Sequence, residues 1–229
     1  MQPTYLPWSG YFHLISKVDT FVFLDDVQFD RRSWQSRNRI LLGKQPHTLS
    51  VPVRKSDRST PICQIEVNND VNWREAHFES IRHAYAKAAF GSDVLTIFEE
   101  TVAGCKTTGL GAVNALFTTS VSKAMGLQAK FVQASELQCG GRRAEHLLEI
   151  CKTLGADSYL SPVGSREYIV QDGDFDRSGF PVSYSGFQPH PYTQRGVDQF
   201  VSHLSIVDVI AHLGWDGARD YVHSEGEQI

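Results

Sequence analysis

Short runs of hydrophobic residues alternate along this chain with longer stretches of helical periodicity. The most continuous run is TFVFLDDV at residues 20–27, which is rich in aromatic and β-branched residues and ends in two acids. A strand buried on both faces of a parallel sheet has this pattern. Before it, Phe12, Leu14 and Ile15 predict a short helix over residues 10–17. The opening therefore predicts a loop, a helix and a strand, which fit a βαβ unit.

Five further strands are predicted from similar runs. They are HTLSVPV at 47–53, CQIEV at 63–67, AKFVQAS at 129–135, SYLS at 158–161 and FPVSYS at 180–185. The first two flank the charged turn RKSDRST, which predicts a hairpin or two edge strands. A strand usually precedes a turn such as the one that follows Met1, and here it is expected to be very short or partly absent from this chain.

Helical periodicity fills the middle of the chain and the segments between the later strands. The predicted helices span 72–90, 92–103, 108–125, the segment GGRRAEHLLEICKTLGA closed by Gly155, and about 205–213. Strands that alternate with helices are typical of parallel sheets. The sequence therefore predicts one α/β domain over residues 1–229. It is a sandwich with a mainly parallel sheet, a small hairpin and a helical middle section at about 72–125.

Charge changes this picture only locally. The 229 residues carry a net charge of −4, which argues against a general nucleic-acid binder, since such proteins usually have a basic surplus. Residues 31–44 nevertheless hold four arginines and a lysine, which favours an anion site. No apolar run approaches the ~20 residues of a membrane span. No signal-peptide pattern opens the chain, so a cytoplasmic protein is expected.

Cysteine and histidine spacings predict no metal site. None of the four cysteines forms a CxxC pair, so free thiols in a reducing compartment are expected. The histidines form no HExxH motif, and His77, His83 and His146 on predicted helices are expected to be surface or satisfied side chains. No GxSxG, Walker A or GxGxxG motif occurs either.

Three polar stretches follow predicted strands, where open parallel sheets bind ligands. They are QPTYLPWSGY, DDVQFDRRSWQSRNR and SPVGSREY, and the Pro-rich loop GFQPHPYTQ adds a fourth candidate. A glycine turn that leads into a helix exposes N–H groups to anions. Arginine beside tryptophan suits a nucleotide diphosphate and its base. The alternatives are a salt-bridged loop at Asp25 and Asp26, an ordinary helix cap at Ser165 and a turn-capping histidine at His190.

The same stretches resemble the WbqC-like protein family. The matching residues read QPTYLPWxGYF, FVFLDDVQFxRRSWQxRNRI, LLEICKxLGAxxYLS, YxxFxPHPYxQ and LSIVDVI, from Gln2 to about Leu213. The resemblance implies a bacterial or archaeal protein of O-antigen or other surface-polysaccharide biosynthesis. Relatives often carry residues before Gln-Pro that complete a first strand. They also tend to have small residues where this chain has Pro162, which lacks a backbone donor.

The biosynthetic pathway that the family resemblance implies suggests an enzyme that transfers an acyl or aminoacyl group to the amine of a nucleotide-activated sugar. The acyl donor and the oligomeric state are unknown, and the only cofactor candidate is a nucleotide, either ATP or part of the sugar substrate. The catalytic candidates are Asp25, Asp26, Tyr11 and His190. The ligand-binding candidates are Gln2, Tyr5, Trp8, Gly10, Arg32, Trp34, Gln35, Arg37, Asn38, Arg39, Ser161, Ser165, Tyr192 and Gln194.

A second hypothesis follows from the layout of PTYLPWSGYFHLI between a first strand and a first helix. This segment is similar in position to the xHxGH segment of HIGH-type nucleotidyltransferases, which implies a Rossmann-like sandwich and an ATP-using ligase. The two histidines that stabilise the phosphate in those enzymes are absent, since Tyr11 takes the place of one and His13 lies two residues late. A non-catalytic module that binds a nucleotide or a sugar is the third hypothesis.

Overall fold

The computed structural model describes residues 1–224, in which short strands pair two by two. The strands are β1 (Thr20–Phe23), β2 (Arg37–Leu42), β3 (Gln45–Ser50), β4 (Lys130–Gln133), β5 (Tyr159–Pro162) and β6 (Val182–Ser185). β1 pairs with β4 and β5 pairs with β6, both in parallel, whereas β2 and β3 are antiparallel. The predicted α/β class with parallel pairing is confirmed.

Helices cover these strands and fill the middle of the chain. They are α1 (Ser9–Ser16), α2 (Trp73–Tyr85), α3 (Gly91–Phe98), α4 (Leu110–Ala124), α5 (Ala134–Leu137), α6 (Ala144–Thr153), α7 (Arg166–Asp172), α8 (Asp174–Ser178) and α9 (Ile206–His223). A π-helical turn, Glu99–Ala103, continues α3. Within the described part of the chain, every helix is too short or too polar to cross a membrane.

Strand β1 is shorter than its sequence predicts. The apolar run at 20–27 predicts one strand, but the Asp25 N–H donates to Phe23 O and turns the chain out of the sheet. Met1 lies beside this end of β1: its nitrogen donates to Val22 O at 2.8 Å, and its carbonyl accepts from Leu24 N at 2.8 Å. These two bonds have the pattern of parallel pairing. The turn after Met1 and the residues after β1 therefore lie next to each other, at the end of the sheet where β1 stops.

The hairpin predicted between residues 47–53 and 63–67 is present only as one antiparallel bridge, Val53 to Val67. β3 pairs with the preceding β2 across Gly43 and Lys44, and not with residues 63–67. Gly43 and Lys44 have φ angles of 60° and 70°, as a two-residue type I′ turn requires. Residues 63–67 begin inside a 3-10 turn, Ile62–Gln64, and contribute two isolated bridges, Val53 to Val67 and Glu66 to Gly109. The turn was missed because a lysine is not a usual residue at positive φ.

Two predicted helices have different limits. The helix predicted over 72–90 ends at Tyr85, because the Phe90 N–H leaves the helix and donates to Ala211 O at 2.9 Å. The last helix is longer than the predicted 205–213 and passes through Gly214, whose φ of 70° kinks it. A Cβ at Gly214 would lie 2.9 Å from the Phe90 ring, so the kink and this packing require glycine.

Two apolar clusters stabilise the fold. The larger is built from α1, β1, the middle helices and α9, with Phe12, Phe98 and Phe117 at most 1% exposed. The smaller lies under β5 and β6 and contains Leu147 and Phe175. The prediction of a single domain over the whole chain stays a prediction, as does its division at about 72–125.

Tyr5, a predicted ligand contact, lies in the larger cluster. Its hydroxyl lies 2.8 Å from Nδ1 of His77, whose ring is buried. Burial lowers the pKa of His77 to about 4, because desolvation disfavours the charged ring.

We therefore expect His77 to make the protein less stable in acid. The folded pKa lies below the unfolded value of about 6.5, so only the unfolded chain gains a proton as the pH falls from 6.5 toward 4. The free energy of unfolding should fall by about 2 kcal/mol between pH 7 and pH 5 on account of this group. In urea titrations, His77→Gln should lose this part of the pH dependence. The same change at exposed His83 on α2 should leave the dependence intact, and an unchanged His77→Gln profile would contradict the assignment.

Candidate functional site

Four polar side chains meet where β1 and β4 end, and we call Asp25, Asp26, Ser135 and His146 the carboxylate cluster. Asp25 is buried, and its two oxygens accept from the Ser135 N–H at 2.9 Å and the Ser135 hydroxyl at 2.8 Å. This caps the amino end of α5 and joins the end of β1 to the end of β4. Asp25 thus has a structural role, with both carboxylate oxygens already bonded.

Asp26 turns to the other side and approaches His146 on α6. The distance from Asp26 Oδ2 to His146 Nε2 is 3.0 Å, whereas His146 Nδ1 lies 2.8 Å from Gly140 O. A carbonyl oxygen only accepts hydrogen bonds, so His146 Nδ1 carries a proton that it donates to Gly140 O. The contact between His146 Nε2 and Asp26 is favourable when a second proton lies on Nε2 or on the carboxylate. The two side chains therefore face each other in a largely buried position.

The contact between Asp26 and His146 is close but not well aligned as a hydrogen bond. Among residues 1–224, His146 Nε2 and Asp26 Oδ1 are both buried without a hydrogen-bond partner. Unpaired buried polar atoms cost free energy and are few in native proteins, and a catalytic role is one of the reasons for which they are kept. Exposed Cys63 lies nearby, and its pKa is raised by desolvation and by both aspartates, so the thiol stays protonated rather than nucleophilic.

A second group of side chains lies at the amino end of α1 and after β6. We call Trp8, Trp34, Arg39, Phe187, His190 and His203 the aromatic surface. The Trp8 ring stacks on His203, with centroids 5.2 Å apart and planes at 22°, and its edge meets Phe187 at 5.9 Å. His203 has a φ of 56°, which is uncommon for a side-chain-bearing residue and points to a local constraint.

Arg39 extends this surface toward Trp34. Its guanidinium lies 5.5 Å from the Trp34 ring centre, and its Nη2 donates to His203 O at 3.3 Å. Its Nε is buried without a hydrogen-bond partner in the described structure, and half of the Trp34 side chain is exposed. A flat exposed indole beside a cation with a free donor suits a base or sugar ring next to a phosphate.

His190 completes the surface from the loop GFQPHPYTQ. Its ring lies 4.1 Å from that of Tyr221, whose hydroxyl donates to His190 O at 2.9 Å. Burial lowers the pKa of His190 by desolvation, so the ring is neutral near pH 7. Its Nδ1 is a further buried atom without a partner in the described residues.

The loop that carries His190 is held by a buried acid on α9. Asp208 is 0% exposed and accepts from the Tyr192 hydroxyl, from Gln194 Nε2 at 2.8 Å and from the Tyr85 hydroxyl at 3.0 Å. Burial and this acid raise the pKa of Tyr192 far above its usual range. Tyr192 and Gln194, predicted ligand contacts, are therefore anchors of the loop rather than part of its exposed face.

Several other candidates also support the backbone. Asn38 Nδ2 donates to Tyr5 O at 3.0 Å and to Leu6 O at 2.8 Å, which holds the opening turn where Leu6 has a φ of 43°. The Tyr11 hydroxyl is buried and donates to Gln2 O, and desolvation raises its pKa well above the usual range. A tyrosine so placed is a poor proton donor or acceptor for catalysis.

Gln2 and Gln35 connect the opening turn to the residues after β1. Gln35 Nε2 donates to Gln2 Oε1 at 2.8 Å, and its own Oε1 accepts from Asp30 N at 3.0 Å. Gln35 is buried, whereas Gln2 is exposed. The fold thus joins these two predicted contacts, although they are 33 residues apart.

The remaining candidates lie outside both groups or are covered. A Cβ at Gly10 would lie 2.3 Å from the Trp8 ring, so the indole covers the α1 turn where an anion is expected. Ser161 is buried in β5, and Ser165 bonds Tyr168 before α7. Arg32 is exposed, and Arg37 opens β2 partly exposed.

Sequence reasoning missed His146, Phe187 and His203. His146 has the spacing of an ordinary helical residue, and only the fold brings it to Asp26, 120 positions earlier. Phe187 lies in a loop that was singled out for its polar residues. His203 has no sequence signal, since its backbone conformation and its stacking on Trp8 depend on tertiary packing.

Comparisons with known proteins identify the family of this chain. A model of the WbqC-like protein family matches residues 2–220. A protein of Mycobacterium tuberculosis described as uncharacterized protein Rv1507c is 26% identical over 225 residues, which cover 97% of this chain and 95% of the relative. No solved structure matches the chain significantly. Because the family match extends over both the carboxylate cluster and the aromatic surface, the chain belongs as a whole to the WbqC-like protein family.

Proposed function

We propose that the protein is an enzyme that binds a nucleotide-activated amino sugar on the aromatic surface and acylates its amine with the help of the carboxylate cluster. One observation carries the proposal. Of the eight buried side-chain polar atoms without a partner in residues 1–224, four belong to Asp26, His146, Arg39 and His190. Unmet hydrogen-bonding capacity is thus concentrated in the two groups, where a polar ligand would satisfy it.

The aromatic surface supplies the features that a nucleotide sugar needs. Exposed Trp34 offers a face on which a base or a sugar ring stacks, which contributes about 1–3 kcal/mol per ring. Arg39 lies against the same indole and carries the free Nε donor, so a phosphate beside the stacked ring would complete its hydrogen bonds. The surface-polysaccharide setting implied by the family resemblance supports this substrate class.

The carboxylate cluster supplies a base for the transfer. As the sugar nitrogen attacks the acyl carbon, the C–N bond forms and the bond from the acyl carbon to the donor's leaving group breaks. The nitrogen must lose one proton in this step, and the unpaired Asp26–His146 atoms would accept it and return it to the leaving group. A positioned base of this kind contributes typically 10²- to 10⁴-fold to the rate.

Ligand binding is tested by thermal shift with dTDP-, UDP- and GDP-linked amino sugars and with ATP. We expect at least one nucleotide sugar to raise the melting temperature more than ATP does. An unchanged melting temperature with all of these compounds would contradict the proposal of a nucleotide-sugar site. Binding without turnover in the presence of acyl-coenzyme A or aminoacyl donors, together with unchanged cellular glycans in a His146→Gln strain, would favour a non-catalytic binding module.

The variants Trp34→Ala and Arg39→Ala should weaken binding of the same nucleotide sugar. Loss of one stacking partner or of one charged phosphate contact should raise Kd about 10-fold or more. Isothermal titration at low salt measures the change. Arg58→Ala, which removes an exposed arginine outside both groups, is the matched control and should leave Kd unchanged. Equal Kd values for the three variants would mean that the ligand binds elsewhere.

The ATP-using ligase hypothesis gains no support from the first helix. His13, the histidine nearest to the HIGH-like position, is buried, and its Nδ1 donates to Val222 O at 2.7 Å. Its Nε2 lies 3.1 Å from the Ser185 hydroxyl, so both nitrogens are bonded inside the protein. Neither is placed to stabilise a phosphate.

A further inference from the structure

Two arginines lie against tyrosine rings beside the carboxylate cluster, and we call Arg143, Arg166, Tyr168 and Tyr184 the arginine–tyrosine patch. The Arg143 guanidinium lies 5.4 Å from the centre of the Tyr168 ring, and the Arg166 guanidinium lies 5.6 Å from the centre of the Tyr184 ring. Both arginines are exposed, and both tyrosines are half-buried against the smaller apolar cluster. The rings therefore hold two cationic groups at the surface.

The outer nitrogens of these guanidinium groups are available to a ligand. Arg143 Nε donates to Asp172 Oδ2 at 3.0 Å, and the same carboxylate oxygen lies 3.4 Å from the Ala144 N–H at the start of α6. Asp172 thus caps the helix and leaves both Nη atoms of Arg143 open. Among the described residues, Arg166 has no carboxylate within ion-pair distance. Planar guanidinium groups bind phosphate oxygens in pairs, so the patch suits a phosphate.

The fold joins this patch to the carboxylate cluster in two ways. Arg143 precedes His146 by three residues at the start of α6, so about one helical turn of ~5 Å separates them. Leu24 packs against the same apolar cluster as the two tyrosines, and Asp26 follows Leu24 by two positions. His146 is 8% exposed, and within residues 1–224 its Nε2 has no hydrogen-bond partner. A phosphate on the patch would therefore lie beside a buried nitrogen with unmet bonding capacity.

The patch also adjoins the aromatic surface. The turn Val163–Ser165 leads directly from β5 into Arg166. A Cβ at Gly186 would lie 3.2 Å from Cγ2 of Val163, so this turn packs closely on the residue before Phe187. Phe187 belongs to the aromatic surface. A sugar on that surface and a second substrate on the patch would therefore approach each other at the same end of the strands.

We propose that the arginine–tyrosine patch binds the phosphate of the acyl donor, and that this donor is a mixed anhydride of a carboxylic acid and a phosphate. Acyl phosphates and acyl adenylates share this group. The inference rests on the proposed function, for which it names the class of donor. In a mixed anhydride a single oxygen joins the phosphate to the acyl carbon, so a phosphate one helical turn from His146 brings the acyl carbon to the base. In acyl-coenzyme A the whole pantetheine arm separates the phosphates from the thioester, which is a much longer distance.

With this donor, the phosphate is the leaving group of the transfer. The sugar nitrogen attacks the acyl carbon and the C–N bond forms. The bond between the acyl carbon and the bridging oxygen breaks, and its electron pair leaves with the phosphate. The proton of the nitrogen passes to the Asp26–His146 pair and from there to the departing phosphate. Negative charge grows on the phosphate as this bond breaks, and Arg143 and Arg166 stabilise that charge.

The test uses two stable analogues of the mixed anhydride, titrated into the whole protein without any sugar. Acetonylphosphonate replaces acetyl phosphate, and acetyl sulfamoyl adenosine replaces acetyl adenylate. We expect at least one of them to bind in isothermal titration, and the one that binds more tightly identifies the kind of phosphate. Arg143→Ala and Arg166→Ala should each raise its Kd about 10-fold or more, because each removes a charged contact. The matched control is Arg82→Ala, which removes an exposed arginine paired with Glu79 on α2 and should leave Kd unchanged.

The variants Arg143→Lys and Arg166→Lys replace any alanine variant that does not fold. They should still weaken binding several-fold, since an ammonium group lacks the paired donors of a guanidinium group. No binding of either analogue, or equal Kd values in the patch variants and the control, would overturn the proposal. Tighter binding of acetyl-coenzyme A with the same dependence on both arginines would overturn the mixed anhydride in favour of a thioester.

Trp34→Ala separates this inference from the nucleotide-sugar site. It should leave the Kd of acetonylphosphonate unchanged, because Trp34 belongs to the aromatic surface and not to the patch. If a nucleotide sugar binds but both analogues do not, the donor class is wrong and the sugar site stands. If an analogue binds through the two arginines but no nucleotide sugar binds, the patch stands and the sugar substrate is wrong.

Discussion

Asp208→Ala should be among the most destabilising single substitutions in this protein. The change leaves the hydroxyls of Tyr85 and Tyr192 and the amide of Gln194 without their common buried acceptor. Each buried donor without a partner costs about 1–3 kcal/mol, so the free energy of unfolding should fall by about 3–5 kcal/mol. Urea unfolding at pH 7, followed by circular dichroism, measures the loss.

Asp216→Ala on the same helix is the matched control. Asp216 is exposed and pairs with Arg219, and exposed ion pairs contribute at most about 1 kcal/mol. Its loss should change stability by about 0.5 kcal/mol or less. If the free energy of unfolding of Asp208→Ala lies within 1 kcal/mol of that of the original protein, the loop GFQPHPYTQ is not held by this acid.

Asp26 and His146 should show a large coupling in a double-mutant cycle. Removal of either partner leaves the other largely buried without its counterpart, and each alanine variant should lose about 2–3 kcal/mol of unfolding free energy. The double variant should lose much less than the sum of the two, which gives a coupling of about 2 kcal/mol. Chemical denaturation of the four proteins provides the measurement.

The exposed pair Glu149–Lys152 on α6 provides the comparison cycle, with an expected coupling of about 0.3–0.5 kcal/mol. A similarly small coupling for Asp26 and His146 would mean that the two groups are independent. If the proposed acyl transfer is observed, the conservative variant His146→Gln should lower kcat at least 100-fold with little change in substrate Kd. That separation would distinguish a base from a residue that only supports the fold.

The fold class could be predicted because the strands are marked by their own residues. The run around Phe21 and Phe23 and the later run around Phe131 are aromatic and short, and they pair side by side. Glycines at positions 126 and 155, which both have positive φ, mark the ends of helices. These features are local, and local patterns are what a single sequence conveys.

The contacts that surround the predicted site residues could not be predicted, because they join residues far apart in the sequence. Tyr5 and Asn38 were predicted as ligand contacts and Tyr11 as a catalytic residue because they are polar and lie near a strand end, and in the structure each bonds the protein itself. Which of the two adjacent aspartates bonds Ser135 and which approaches His146 depends on contacts with residues more than 100 positions away in the sequence. No periodicity or spacing encodes such a choice.

The packing of the first helix on the last has a consequence for the order of folding. His13 on α1 bonds Val222 on α9, 209 positions later, and Trp8 forms a bridge with Ser205. Contacts between residues so far apart in sequence form slowly, and during synthesis they cannot form before α9 has left the ribosome. The aromatic surface, which needs Trp8, His203 and the loop anchored by Asp208, is therefore assembled last. During synthesis, the middle helices should therefore fold well before the aromatic surface is able to bind a ligand.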